Sequence, residues 1–159
     1  MIILAVDPGS EKSAWARYDT ETKTVLDFGI LPNDELKRKI SNLTDLPDKL
    51  AMEMIASYGM AVGKTVFETC VWIGRLIEAW TTRTKKPWEY IYRKDEKITL
   101  CGSMKAKDPN ISAAIANRYG GDVKTAKGTK KNPGPLYGVS KDVWAAIAVA
   151  ITCDEMERE

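Results

Sequence analysis

Apolar residues fall along this chain in short, separated runs. Ile2–Val6 is unbroken and closes on Asp7 and the turn residues Pro8-Gly9-Ser10, the pattern of a strand buried on both faces. Lys12–Tyr18 alternates loosely, with Ala14, Ala16 and Tyr18 set against Trp15 and Arg17, and Thr24–Ile30 is a third β-rich run. The polar Asp19-Thr20-Glu21-Thr22 suits a turn, which predicts three antiparallel strands with short connections. Asn33 stands where it would cap a short helix reaching about Ile40. Leu50–Ile55 is a further apolar strand with one charge in its middle, Glu53. Thr65–Thr82 carries the clearest helical pattern, its apolar positions (Val66, Cys70, Val71, Ile73, Ile77, Trp80) filling more than one stripe.

Trp88–Tyr92 reads as a strand. Asp108 as cap and Pro109 as first helical residue open a helix that ends before Gly120-Gly121. GDVKTAKGTKKNPGP then reads as a flexible loop, and Ser140 as the cap of a last helix, VWAAIAVAI onward to about Met156. The order βββαβαβαα predicts an α/β fold, a mixed sheet with helices packed on its faces.

Composition narrows the chemistry. A length of 159 residues suits one domain, 1–159, with a real core. There is no histidine, which excludes Ser-His-Asp and Cys-His catalysis and every His-ligated metal site. A metal held by side chains must then sit on carboxylates, which points to Mg²⁺, Mn²⁺ or Ca²⁺. Cys70, Cys101 and Cys153 are scattered and form no CxxC pair, so a reducing compartment is expected. No run approaches the ~18 apolar residues of a membrane span, and the expected location is cytoplasmic.

Charge is balanced overall, at +2, but unevenly distributed. Between Arg83 and Lys131 there are 13 Lys/Arg and five Asp/Glu, while the rest of the chain is acidic. That segregation is expected of a polyanion binder, and equally of a solvated lysine-rich surface.

Three carboxylates stand in apolar surroundings: Asp7 at the end of the first strand, Glu53 inside the later one, and Asp142 before the apolar run of the last helix. Such groups are costly unless paired or bound to a cation. Each also has an ordinary role open to it: Asp7 in a turn, Glu53 against an arginine, Asp142 at a helix terminus. Three together in a histidine-free chain with a basic segment favour a shared metal site.

IILAVDPGS, then AMEMI before the long helix, WEYIYRKDEKI, the GS-x-K-x-K of Gly102–Lys107 and the terminal SKDVWAAIAVAIT resemble, in order and spacing, the RuvC family of Holliday-junction resolvases. The resemblance covers nearly the whole chain. It implies an RNase H-like fold with a mixed five-stranded sheet, a homodimer, and cleavage of four-way junctions and other branched DNA by paired nicks. The implied source is a bacterium or a phage-infected cell.

The implied cofactor is Mg²⁺, with Mn²⁺ able to substitute, as two ions per site. They would sit on Asp7, Glu53 and Asp142 and support hydrolysis to a 5′-phosphate and a 3′-hydroxyl. The family's last helix carries a D-x-x-D pair, and here Ala145 stands where the second acid would be. Residues i and i+3 share a helix face, so this departure removes one ligand. Asp154 and Glu155 lie about 18 Å along the helix and cannot replace it. A weak or inactive branched-DNA-binding protein of the same fold is therefore the alternative. Actin-like ATPases of related fold need two domains, more than this length holds.

The resemblance further implies that Lys97 and Lys107 act near the scissile phosphate. Lys105 belongs with Lys107, Lys124, Lys127, Lys130 and Lys131 would follow the DNA backbone, and Tyr58 would stack on an opened base. It also gives the long helix a second role as dimer face, with Trp72, Arg75, Glu78 and Ala79 as candidates. For each lysine a solvated surface role stays open, and for Tyr58 and the long helix a packing role.

Overall fold

Alternation along the first strand decides the architecture. A computed structural model describes all 159 residues, and in it β1 (Ile2–Asp7) lies at the centre of a five-stranded sheet. β2 (Lys12–Asp19) pairs antiparallel with β1 and with β3 (Thr24–Pro32). On the other side β4 (Lys49–Met54) runs parallel to β1, and β5 (Trp88–Tyr92) parallel to β4, giving the order β3-β2-β1-β4-β5. The mixed sheet is the one the pattern predicts.

Successive side chains of a strand point to opposite faces. Ile3, Ala5, Ala14, Ala16, Ala51 and Ile91 form one face, which packs against α6 (Val143–Met156). Leu4, Val6, Trp15, Leu50 and Met52 form the other, covered by α1 (Asn33–Ser41) and α2 (Lys64–Thr84). Alanines are frequent on the sheet face beneath α6 (Ala5, Ala14, Ala16 and Ala51), and Ala146 and Ala150, one turn apart on α6, belong to the same core. Small residues let helix and sheet approach closely. Because α6 has the sheet on one side and α3 (Arg93–Cys101) and α4 (Asp108–Arg118) on the other, it is apolar all round.

Several local expectations change. Asn33 is the first residue of α1 rather than its cap, and its buried amide serves the turn after β1. Lys107, not Asp108, occupies the N-cap position of α4, where the Asn110 side chain accepts its N–H at 2.9 Å. Ser140 does not cap α6, whose N-cap position is held by Asp142.

Two helices were not anticipated. α3 directly follows β5 and buries only Leu100 and a carboxylate, Glu96, so no apolar stripe announces it. α5 (Val123–Lys127) interrupts the lysine-rich segment, with Asp122 accepting the Thr125 N–H at 2.6 Å as its cap. The residues after α5 are also held: Gly128 bridges Pro133, and a side chain at Gly134 would meet the Ala126 carbonyl at 2.2 Å. That segment is a folded turn over Ala126 and Leu136, not a flexible loop. No helix is long and apolar enough to cross a membrane.

Candidate metal centre and nucleic-acid interface

Sheet register brings the first two carboxylates together. Val6 is paired with Met52 across the parallel β1–β4 ladder, so Asp7 and Glu53 follow as the next step at the carboxyl ends of both strands. By alternation they continue the Ala5 and Ala51 face, the one that α6 covers. Asp142 enters from the amino end of α6. The three line one pocket of about 270 Å³ with Arg93, Asp108, Ser112, Lys141, Trp144 and Ala145.

The side chains of Asp7 and Glu53 make no hydrogen bond to the turn or to Arg93, while Asp142 stands at the amino end of α6 without its side chain bonding to the helix backbone. The turn after β1 is braced by other residues: Ser13 Oγ accepts the Gly9 N–H at 3.2 Å and donates to Asn33 Oδ1 at 2.6 Å, and Asn33 Nδ2 donates to the Gly9 carbonyl at 2.8 Å. Gly9 itself is required, since a Cβ there would lie 2.3 Å from the Lys12 carbonyl oxygen. The nearby Arg93 is engaged elsewhere, donating to Glu96 at 2.5 Å and pairing with Asp108.

The carboxylates act on one another electrostatically. Burial, then the facing Glu53 carboxylate, then Asp142 and Glu96 hold the Asp7 carboxyl far above its ordinary 3.8. Burial and Glu53 likewise push Glu96 up, against the opposing pull of Arg93. Carboxylates that raise one another in this way are relieved by a cation among them. The donors are all hard oxygens with no nitrogen or sulfur, and that set fits Mg²⁺ or Mn²⁺.

A tighter cluster lies at the opposite end of the sheet, where ligand atoms of Glu89, Cys153 and Glu157 come within 4.8 Å of one another. Lys49 already fills it, 2.7 Å from Glu89 and paired also with Glu157. The Cys153 thiol donates to Glu89 at 2.9 Å, and burial and Glu89 keep it protonated. This is an ion-pair network rather than a metal site.

The remaining candidates surround the pocket more loosely. Tyr58 is 61% exposed and left-handed at φ 49°, and lines an adjoining hollow of about 390 Å³ with Asp7, Glu53, Met60 and Arg93. Lys97 lies half-buried on α3; Lys105 and Lys107 are exposed before and at the start of α4. Neither Lys97 nor Lys107 is among the residues lining the acidic pocket, whereas Lys141 is. Lys124 and Lys127 sit on α5, with exposed Lys130 and Lys131 in the turn after it.

On α2, Ile73, Leu76, Ile77, Ala79 and Trp80 pack inward, leaving Phe67 and Val71 each 61% exposed and Arg75 stacked 4.0 Å from the Trp72 ring centre. Of the four residues suggested for a second face, Ala79 is thus part of the core.

Sequence reading missed Arg93, Asp108, Ser112 and Lys141 in the pocket lining, and Glu96, the buried partner of Arg93. The signal for Glu96 is the one that singled out Glu53, a charge at a core-facing position, here four residues before the buried Leu100. It was invisible without the helix.

The fold matches solved structures over its full extent. Thermus thermophilus RuvC superposes with a TM-score of 0.74 at 15% identity, covering 99% of this chain and 96% of that one. The chain has the RNase H-like fold of RuvC. T. thermophilus RuvC in complex with a Holliday junction substrate matches at TM-score 0.69 and 14% identity, over 99% of this chain and 95% of that one. The Fowlpox virus resolvase, in complex with its substrate Holliday junction DNA, matches at 0.57 and 15% identity over 100% of both chains. No family model and no curated protein sequence matches the chain.

Proposed function

We propose that this chain, acting as one nuclease domain, is a metal-dependent endonuclease that cuts four-way junctions and other branched DNA. One observation carries this reading: Asp7, Glu53 and Asp142, delivered by β1, β4 and the amino end of α6, line a single pocket. The fold shared with RuvC and with the Fowlpox resolvase, both solved on Holliday junctions, supports the substrate class.

Asp7, Glu53 and Asp142 would hold two Mg²⁺ ions, or Mn²⁺ in their place. When bound, such ions lower the pKa of an attacking water and stabilise the leaving 3′-oxygen, giving a 5′-phosphate and a 3′-hydroxyl. The chain's own groups then bind and orient. Lys97 and Lys107 steady the scissile phosphate, and Lys105, Lys124, Lys127, Lys130 and Lys131 follow the DNA backbone. Tyr58 stacks on a base at the branch.

The outer side of α2, with Phe67, Val71, Trp72, Arg75 and Glu78, forms a homodimer. Two sites related by a two-fold axis then nick a junction of similar symmetry in pairs. The protein would work in the cytoplasm. Ala145 lining the pocket favours a second reading, a protein that recognises branches but cuts slowly or not at all.

A labelled four-way junction, with linear duplex as control, separates the two readings. Paired nicks that need Mg²⁺ or Mn²⁺, stop in EDTA and spare the duplex support the nuclease. Binding without nicking in either metal supports the recognition protein. Equal cutting of the duplex would remove the branch specificity.

A further inference from the structure

One wall of the acidic pocket carries a positive charge that nothing neutralises. Two cations line the pocket with Asp7, Glu53 and Asp142, and they are held differently. Arg93 is engaged by Glu96 and Asp108. Lys141 is exposed, and its ammonium enters no ion pair although three carboxylates share the pocket with it. It is also the only lysine in the lining.

The backbone at Lys141 is unusual as well. Its φ is 49°, in the left-handed region that residues other than glycine seldom adopt. Lys23 and Lys85 share that conformation, but in the turn between β2 and β3 and at the carboxyl end of α2, where it is routine. The other two such residues, Tyr58 and Lys141, line the two hollows that contain Asp7 and Glu53. At Lys141 the conformation is pinned from both sides. Val139 and Val143 are buried, the Val143 N–H donates to the Ser140 carbonyl at 3.1 Å, and the Trp144 N–H donates to the Lys141 carbonyl at 3.3 Å. Backbone strain held in this way clusters at functional sites.

We propose that Lys141 is a further catalytic residue, whose ammonium binds a non-bridging oxygen of the phosphodiester to be cut. The inference rests on the reading of Asp7, Glu53 and Asp142 as the metal site of a nuclease. A pocket walled by three carboxylates repels a phosphodiester, and an unpaired cation on its wall offsets that repulsion. A cation fixed against the phosphoryl group also lowers the barrier, because its attraction is stronger in the transition state than in the bound substrate.

Single-turnover nicking of a labelled four-way junction in Mg²⁺ tests this, beside two measurements that involve no cleavage. These are junction binding in Ca²⁺ and the Mn²⁺ affinity of the DNA-free protein by isothermal titration calorimetry. Lys141→Ala should slow nicking at saturating protein at least about thirtyfold, with both affinities changed less than about threefold. Lys141→Gly, which accepts the left-handed backbone, should lose as much. Lys141→Arg keeps the charge and should nick within about tenfold of the parent.

Nicking within about threefold of the parent in Lys141→Ala or Lys141→Gly would overturn the assignment. So would a rise of about tenfold in Mn²⁺ affinity on losing the lysine, which would make Lys141 a counter-ion of the carboxylates. Lys141→Gly decides the matter if Lys141→Ala fails to fold. The wider reading fails differently. If Asp7→Asn stops nicking while Lys141→Ala does not, only the Lys141 assignment is wrong; if the parent binds the junction without nicking it, both are.

Discussion

Asp7 and Glu53 stand side by side at the carboxyl ends of two parallel strands, one step beyond the Val6–Met52 pair. Between them the chain runs through β2, β3 and α1, and the register that joins them is fixed by burial. Slipping β4 by one residue would turn Ala51 to the α2 side and Met52 into the close-packed α6 side. The same packing that makes the core thus places two carboxylates against each other. A third arrives because α6 runs along that face and starts at Asp142.

The metal-free protein should lose stability as pH rises. Burial and Glu53 raise the folded-state pKa of Asp7 from its ordinary 3.8 to about 9, so between about pH 4 and pH 9 the folded chain holds protons that the unfolded chain has released. Stability therefore falls with increasing pH across that window. Asp7→Asn, which cannot ionise, should flatten this dependence and raise the Tm near pH 8. Thermal melts from pH 5 to 8 in EDTA check it; a parent and variant with the same pH slope would remove Asp7 as its source.

Divalent cations should reverse that penalty. Mg²⁺ or Mn²⁺ at about 100 times the Kd stabilises the fold by roughly 2.7 kcal/mol if it binds only the native state. Melting curves with MgCl₂, against NaCl of equal ionic strength, should show a rise that Asp7→Asn and Asp142→Asn each reduce. An identical rise in the variants would place the binding elsewhere.

The turn carrying Asp7 depends on a side-chain brace remote in sequence. Asn33 is buried and joins Ser13 to the Gly9 carbonyl. Asn33→Ala removes the acceptor of the Ser13 hydroxyl and the donor to the Gly9 carbonyl and should cost about 2 kcal/mol or more. Urea unfolding measures it. A loss under about 0.5 kcal/mol would show that the brace is dispensable.

Neutralisation of DNA phosphates by the basic segment predicts a salt effect. Alanine at Lys124, Lys127, Lys130 and Lys131 together should lessen the slope of log K against log salt by about 0.9 for each phosphate no longer neutralised. The fold should survive, since three of these side chains are exposed and Lys127 is half-buried. Junction binding at several salt concentrations reads the slope, and an unchanged slope would leave these lysines to solvent.

Most of the fold was legible in the sequence because its strands are short apolar runs closed by turn residues, and its longest helices carry clear patterns. The triad was legible because a charge inside an apolar run is conspicuous. What escaped notice has a physical cause. α3 buries Glu96 and Leu100 rather than an apolar stripe, and α5 is a five-residue helix held by Asp122 and by the close approach of backbone at its glycines rather than by periodicity. Arg93, which lines the acidic pocket, went with the missed helix. The brace through Asn33 was read as a helix cap because the same side chain can do either, and only the sheet shows that Ser13 and Gly9 are its partners.

Asp7 as a ligand of a catalytic metal is the central claim, and one comparison tests it most directly. Parent and Asp7→Asn proteins are incubated with a labelled four-way junction and Mg²⁺, and nicking is measured beside junction binding. The expected result is nicking by the parent, at least a thousandfold loss in Asp7→Asn, and binding retained in both. An Asp7→Asn protein that nicks as fast as the parent would contradict it.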